Sequence, residues 1–435
     1  MNMSRSELHR RNKENRKKKT RRLLAVNVTM LGALIVLVAV WFSIDNPFAE
    51  NSRQAAAGQP SPSAPADTVP AETAGGETGG DGAAGQPGQA AEEPDGVPAG
   101  QDQQGGSQAE GTPDHTGIPQ DGSSVNLAFV GDILLGASVA DMIASNGYDY
   151  PYKQAKLYLS DPDITAGNLE YPVTENGTPA ENKTYVFKGS PDALPALKDS
   201  GLDLVTLANN HTLDQGVEGL LDTMKHLDEA GIQHVGAGHD DMEAFQPVII
   251  EKNGIKIAYI GLSKVVPDVS WKADKNKPGV AETYDTTRAV AAIKSAKEQA
   301  DLVVVMVHWG VERSDKPEAY QRDFAKQYID AGADLIIGSH PHVLQGFEMY
   351  KGKWIAYSLG NFIFSAYPKG AAGETGVLGA ECTKGGDCQL QFYPMSGNKA
   401  QPAPMEQPAA EALLARIESI SYGVHVNKDG VIAVK

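Results

Sequence analysis

The sequence predicts an α/β domain with a mixed sheet system, carried on an unstructured tether behind one membrane-spanning helix. Three observations predict it. A single long apolar run near the start is preceded by basic residues; a stretch of some eighty residues has almost no large apolar side chains; and from Asn126 short apolar runs alternate with amphipathic segments.

The elements follow in order. Residues 1 to 22 hold ten Lys or Arg against two Glu, and they lead into LLAVNVTMLGALIVLVAVWFSI, Leu23 to Ile44. At about 1.5 Å per residue a helix of this length crosses a bilayer core of about 30 Å. A cleaved signal peptide is the competing reading, with PFA before Glu50 as its processing site, although such a leader has an apolar core of only about 7 to 15 residues. The basic flank stays in the cytoplasm, which places everything after Ile44 outside the cell membrane. Residues 45 to 124 are rich in Gly, Ala, Pro, Gln and Glu, with thirteen acids and only Arg53 as a base. Such a segment cannot bury enough apolar surface to offset its ordering entropy, so it is expected to be a disordered linker.

The whole chain carries −17; a leader of +8 and a linker of −12 leave residues 125 to 435 at about −13. That balance excludes nucleic acid as a partner, because phosphate contacts need a basic face. A polyanionic substrate would need local positive charge, which bound metal can supply. The two cysteines, Cys382 and Cys388, bracket the turn-like TKGGD. Outside the cytoplasm they are expected to pair, since a metal site would need further cysteines nearby.

Within the domain, NLAFVGD, LDLVTLANNH, IQHVGAG, KIAYIGLS, DLVVVMVHWG, DLIIGSHPH and WIAYSLGNF read as buried strands. In VEGLLDTMKHLDEAG the set Val217, Leu220, Leu221, Met224 and Leu227 has helical spacing and Gly231 closes it. Thr286 to Ala300 and Pro317 to Ala331 behave alike, the latter stopping at Gly332. Asn253-Gly254 and the YKGK stretch mark tight antiparallel hairpins, so the sheet system is mixed. Ala409 to Lys435 offers one amphipathic helix and a short strand.

Polar residues collect where the apolar runs end: Asp132, Asn168, Glu170, Asn209, Asn210, His211, His308, His340 and His342. Four of the ten histidines sit at such exits. In a sheet whose strands share a direction these ends lie side by side, where open α/β folds bind ligands. Pro341 is expected to hold His340 extended, so that His340 and His342 point the same way. Carboxylates, amides and imidazoles together suit one or two divalent transition metal ions, Mn, Zn or Fe, with Glu170 able to bridge two of them. Each piece alone has a plainer reading: GD is common in turns, Asn caps helices, and a strand-end histidine is usually packed. Their joint placement at five exits carries the metal reading.

GD at 131 to 132, GNLE at 167 to 170, ANNHTLDQG at 208 to 216, HWG at 308 to 310, HPHV at 340 to 343 and SLGNFIF at 358 to 364 resemble the CapA/PgsA capsule and poly-gamma-glutamate synthesis family. That family belongs to the calcineurin-like metallophosphoesterases. The likeness runs from Leu127 to Phe364. It implies two packed mixed β-sheets flanked by helices, a four-layer sandwich with metals at the strand ends. It also implies that Asp132 holds one metal, Glu170 bridges, Asn210, His308 and His340 complete the second, and His342 returns to the first. His211 matches a general acid near the leaving group, and the spacing suggests that Asp214 orients it. Metallophosphoesterases generally show Asp-x-His at the first position, whereas Ile133 and Leu134 follow Asp132 here. The first metal therefore loses an imidazole, and binds weakly, uses Asn168 or water, or is absent.

Lys183, Lys188 and Arg313 are candidates for holding an anion, Trp271 and Trp309 for lining a cleft, and Asn361 for either a turn or the site. Three readings of function stand at this point. One is an accessory role in capsule or poly-gamma-glutamate synthesis or export, with an anionic polymer and synthesis or export subunits as partners. Another is a metal-dependent surface hydrolase of phosphoester or polymer amide bonds. The third is a non-catalytic binding module.

Overall fold

Strands that are apolar on both faces need cover on both faces, and two stacked sheets between helices supply it. The computed structural model describes residues 124–435 except Asn182. The expected leader, membrane helix and linker, up to residue 123, lie outside the described residues. Among the described residues no helix is long and apolar enough to cross a membrane.

Strands β1 (Ser124–Ile133), β2 (Ile164–Leu169), β3 (Leu202–Thr206) and β4 (Gln233–Val235) are parallel neighbours in that order. The first begins two residues before the apolar alternation, so Ser124, read as linker, is strand. The short β5 (Ala237–Gly238) leaves this sheet, and β6 (Val248–Lys252) and β7 (Ile255–Ser263) begin a second one. After β8 (Gly279–Val280), the partner of β5, come β9 (Leu302–His308), β10 (Leu335–Ser339), β11 (Leu344–Tyr350) and β12 (Lys353–Leu359). The second sheet has the order β11-β12-β10-β9-β7-β6, parallel through its centre and antiparallel at both edges. The chain then returns to the first sheet: β13 (Asn361–Ile363) pairs with the end of β1, and β14 (Glu374–Thr383) and β15 (Cys388–Ser396) extend the sheet antiparallel. The strands β16 (Ala403–Pro404), β17 (Val424–Val426) and β18 (Val431–Val434) finish it.

The inner faces share one core, in which Leu127, Phe129, Tyr259, Met306 and Phe347 are fully buried. Each such side chain contributes about 1.5 to 3 kcal/mol by leaving water. The outer face of the first sheet is covered by helices including Gly216–Ala230, and that of the second by Thr287–Lys297 and Ala319–Ala331. The domain is thus a mixed α/β sandwich, as expected.

Local chemistry explains the boundaries. Gly231 and Gly332 close their helices in left-handed geometry, and Glu318 with Gln321 forms a reciprocal cap at the start of Ala319–Ala331. Helix Gly216–Ala230 buries Leu220, Thr223, Met224 and Leu227, whereas Val217, expected on the buried stripe, is exposed because it lies in the first turn. Positive φ at Asn253-Gly254 and Lys351-Gly352 makes the two predicted hairpins. The C-terminal region differs from expectation. After helix Ala409–Ser419 it forms a two-stranded hairpin, not one strand, because Asn427 accepts the N–H groups of Asp429 and Val431 and turns the chain. Cys382 and Cys388 form a disulfide across the register pair that ends the β14–β15 hairpin.

Ser263, His308 and Ser339 stand in register at the ends of β7, β9 and β10, as do Asp132, Asn168 and Thr206 on β1, β2 and β3. The parallel centres of both sheets therefore discharge at one end.

Candidate metal centre

Gly131 is required by the approach of a second chain segment. A Cβ there would lie 1.8 Å from Gly360 O, the oxygen that accepts the Asp132 N–H at 2.9 Å. SLGNF is thereby seated against the end of β1, with Asn361 opposite Asp132. The HPH turn departs from expectation: His340 and His342 have φ of 96° and 57°, so neither is extended. Non-glycine residues rarely adopt this region, and such strain persists where surrounding contacts over-determine it. The two rings still converge, with centroids 5.8 Å apart, and His340 lies 4.7 Å from His308. A turn brings them together where an extended run was expected to.

One amide organises the acidic side. Asn168 Nδ2 donates to Asp132 Oδ1 at 2.8 Å and to Glu170 Oε2 at 3.1 Å, and lies 3.3 Å from His308 Nδ1. Asn168 is itself held by Asn209, which donates to its Oδ1 and to Leu169 O. His308 Nδ1 is 2.9 Å from Ser339 Oγ, and its Nε2 is 3.0 Å from Asn210 Oδ1 and 3.7 Å from Glu170 Oε1. His342 Nδ1 sits 2.9 Å from Asn361 Oδ1 and 3.2 Å from Asp132 Oδ2, and its Nε2 is 3.7 Å from Glu170 Oε1.

Two clusters have ligand atoms within 4.8 Å of one another: Glu170, His340 and His342, and Asp132, Glu170 and His308. Glu170 belongs to both, as a bridging carboxylate would. His342 also lies against Asp132, at 3.2 Å from Oδ2, and His308 against Asn210, at 3.0 Å from Oδ1. Two buried atoms, Glu170 Oε1 and His340 Nδ1, have no hydrogen-bond partner, and Asp132 Oδ2 faces His342 Nδ1 at 3.2 Å. Orphaned acceptors in a buried site are costly and need a partner. A divalent cation satisfies this donor set, so these residues fit the metal that their types imply.

Electrostatics agree. Burial and then the Asp132 charge push the Glu170 carboxyl well above its usual range. Burial, reinforced by neighbouring imidazoles, holds His308 well below its ordinary value and takes His340 down to about 3, so both are neutral and able to coordinate. At His342 burial opposes protonation, but Asp132 and Asn361 outweigh it and raise the imidazole.

Beside this centre, His211 Nδ1 lies 2.7 Å from Asp214 Oδ2 and 3.2 Å from Lys183 Nζ. Lys183 forms a very short ion pair with Asp214 and donates to Asn210 O at 2.7 Å. Its ammonium also lies 4.8 Å from the centre of the Trp271 ring. Lys183 therefore ties the segment before β3 onto the histidine loop, and is not a free anion contact as the sequence allowed. Asp214 also accepts the Phe187 N–H at 2.7 Å, which seats the Phe187 ring 4.6 Å from His211. Phe364 covers His342 at 4.5 Å. Trp309 is fully buried and donates to Tyr357 O, so it is core, not cleft wall. Lys188 and Arg313 are exposed. Asn361 contacts His342 and belongs to the site. Sequence reasoning assigned no part to Ser339, and none to Phe187 or Phe364; only the adjacency of Ser339 to HPH hinted at one.

The sequence profile described as "Bacterial capsule synthesis protein PGA_cap" matches residues 126–366, more than half of the chain. The chain belongs to this family. PGA_cap relatives include the capsule biosynthesis protein CapA of Bacillus anthracis, 35% identical over 56% of this chain and 61% of that protein. The PGA biosynthesis protein CapA of Bacillus subtilis is 35% identical over 65% of this chain and 74% of that one. The chain thus spans under two thirds of the length of the first of these relatives. Among solved structures, the NAD nucleotidase of Haemophilus influenzae is 14% identical with a TM-score of 0.40, covering 69% of this chain and 57% of that one. At that score the likeness carries no argument.

Proposed function

We propose that this PGA_cap protein acts in the synthesis or export of a capsular polymer such as poly-gamma-glutamate, through a metal centre of the calcineurin-like metallophosphoesterase type. The observation that carries the metal is a pair of ligand clusters that share Glu170, with Glu170 Oε1 and His340 Nδ1 buried and without partners. Asp132, Glu170, Asn210, His308, His340 and His342 would hold one or two Mn, Zn or Fe ions. A bound divalent cation supplies Lewis-acid polarisation of an oxygen at the bond under attack. Asn168 and Asn209 keep the carboxylates aimed; Ser339 and Asn361 orient the imidazoles. Residues 23 to 44 would anchor the chain in the cell membrane with the domain outside, beside the synthesis or export subunits.

A second reading, hydrolysis, is favoured by one arrangement. Nδ1 of His211 donates to Asp214, which leaves Nε2 to carry a proton to a leaving group. Phe187 restricts water at that ring.

Elemental analysis of the full chain after reconstitution with Mn or Zn tests the centre. Wild type should retain metal, and Glu170→Ala with His340→Ala should lose it; equally low content in both sinks the proposal. Phosphoesters and poly-gamma-glutamate, assayed with wild type and His211→Ala, separate the two readings. A loss of about 10²-fold or more in His211→Ala supports hydrolysis. A folded, metal-loaded wild type inert to both supports the accessory role.

A further inference from the structure

Two lysines converge on one tyrosine at the strand-exit end of the second sheet. Lys264 Nζ lies 3.9 Å from the centre of the Tyr284 ring, and Lys272 Nζ lies 4.6 Å from it. Glu282, 3.3 Å from Lys272 Nζ, balances one of the two charges, which leaves a net positive spot that a further anion can occupy. We propose that Lys264, Lys272 and Tyr284 form a subsite for a carboxylate of an anionic polymer chain next to the metal centre. The inference rests on the polymer reading above and adds where the chain is gripped.

The location follows from backbone contacts. Lys264 N–H donates to His308 O at 2.8 Å, directly after the register pair Ser263–His308. Lys264 is also 5.4 Å from the centre of the Tyr320 ring, whose hydroxyl accepts the Gly310 N–H at 2.7 Å. The ammonium is therefore about one lysine side chain from a candidate ligand strand.

Presentation fits an external partner. Among the described residues no carboxylate lies within 4.0 Å of Lys264 Nζ, whereas Lys183, nearer the centre, is consumed by Asp214. Lys272 has Glu282 at 3.3 Å, but the Tyr284 N–H also binds that carboxylate, at 2.8 Å. Tyr284 is 45% exposed, and its hydroxyl accepts the Val266 N–H, which fixes the ring beneath the lysines. Burial lowers the affinity of Lys264 for its proton; Glu282 opposes this, and Lys272 adds a smaller lowering effect. In a domain of about −13, such a cationic spot is where a polyanion can approach.

The test is binding of a purified γ-linked glutamate oligomer to the full detergent-solubilised chain, by calorimetry at two salt concentrations. Lys264→Met and Lys272→Met should each weaken binding roughly fivefold, and the double variant about twentyfold with a shallower salt dependence. Melting temperature and metal content should stay at the wild-type values. Wild-type binding that the double variant retains in full overturns the subsite and leaves the polymer reading intact. A wild type that binds no γ-glutamate chain overturns the polymer reading, and the subsite with it. Lysine-dependent binding of a glycerol-phosphate oligomer but not of γ-glutamate overturns the carboxylate assignment.

Discussion

Glu170→Gln separates what the shared carboxylate does for the fold from what it does for metal. Without metal, Glu170 and Asp132 are two buried acids whose ligand oxygens lie within 4.8 Å. Two full charges at that distance repel by about 3 to 4 kcal/mol at an effective dielectric of about 20; burial first, and this repulsion second, keep the proton on the Glu170 carboxyl. A glutamine copies the protonated acid in shape, so the metal-free variant should match or exceed the wild type in stability. The gain should grow as pH rises above the ordinary carboxylate range, because there only the folded wild type still binds that proton. With metal the order reverses. At about 100-fold excess over Kd, metal adds about 2.7 kcal/mol to the wild type, or roughly 5 °C in Tm for a domain of this size. A variant bound about a hundredfold more weakly gains only about 0.4 kcal/mol, or roughly 1 °C. Scanning calorimetry of chelator-treated protein, with and without Mn or Zn, reads both effects. Equal metal-induced shifts in the two proteins would refute the shared-ligand geometry.

Lys183→Met leaves the fully buried Asp214 without its cation, and denaturant titration should show a loss of about 3 to 5 kcal/mol; a loss under about 1 kcal/mol would mean the pair is not held in solution. His340 in the folded chain protonates only near pH 3, while an unfolded imidazole does so near about 6.5. The unfolded state therefore binds more protons below about 6.5, and stability falls as pH drops from there, by about 2 kcal/mol from His340 at pH 5. His308 acts in the same direction and Glu170 in the opposite one. In His340→Ala the decline should be shallower, and an unchanged slope contradicts the burial argument. Gly131→Ala forces a methyl against Gly360 O, so it should cost about 1 to 3 kcal/mol and lower metal affinity by displacing Asp132; wild-type metal content and Tm in this variant would show that the SLGNF segment yields freely.

Much of the fold was legible because its signals are local. Periodicity marked the central strands of both sheets, Gly231 and Gly332 marked helix ends, and Asn253-Gly254 marked a hairpin, each through contacts within a few residues. The second C-terminal strand was missed because VIAV is four residues long and lies mostly exposed at a sheet end, where apolar patterning is weak. The site residues were legible as a set, since polar groups directly after buried strands have few structural uses. The backbone that delivers them was not: Pro341 argued for extended geometry at His340, and a left-handed turn stands there instead.

By itself, then, the order of apolar runs and the residues that end them determined an α/β chain with a carboxylate, amide and imidazole constellation, because strand burial and ligand type are properties of short segments. Only the tertiary structure decided that Asn168 bonds both Asp132 and Glu170, that Lys183 is consumed by Asp214, and that Lys264 and Lys272 meet over Tyr284. Those contacts join segments separated along the chain, and their distances are set by sheet register and loop docking, which no local pattern encodes.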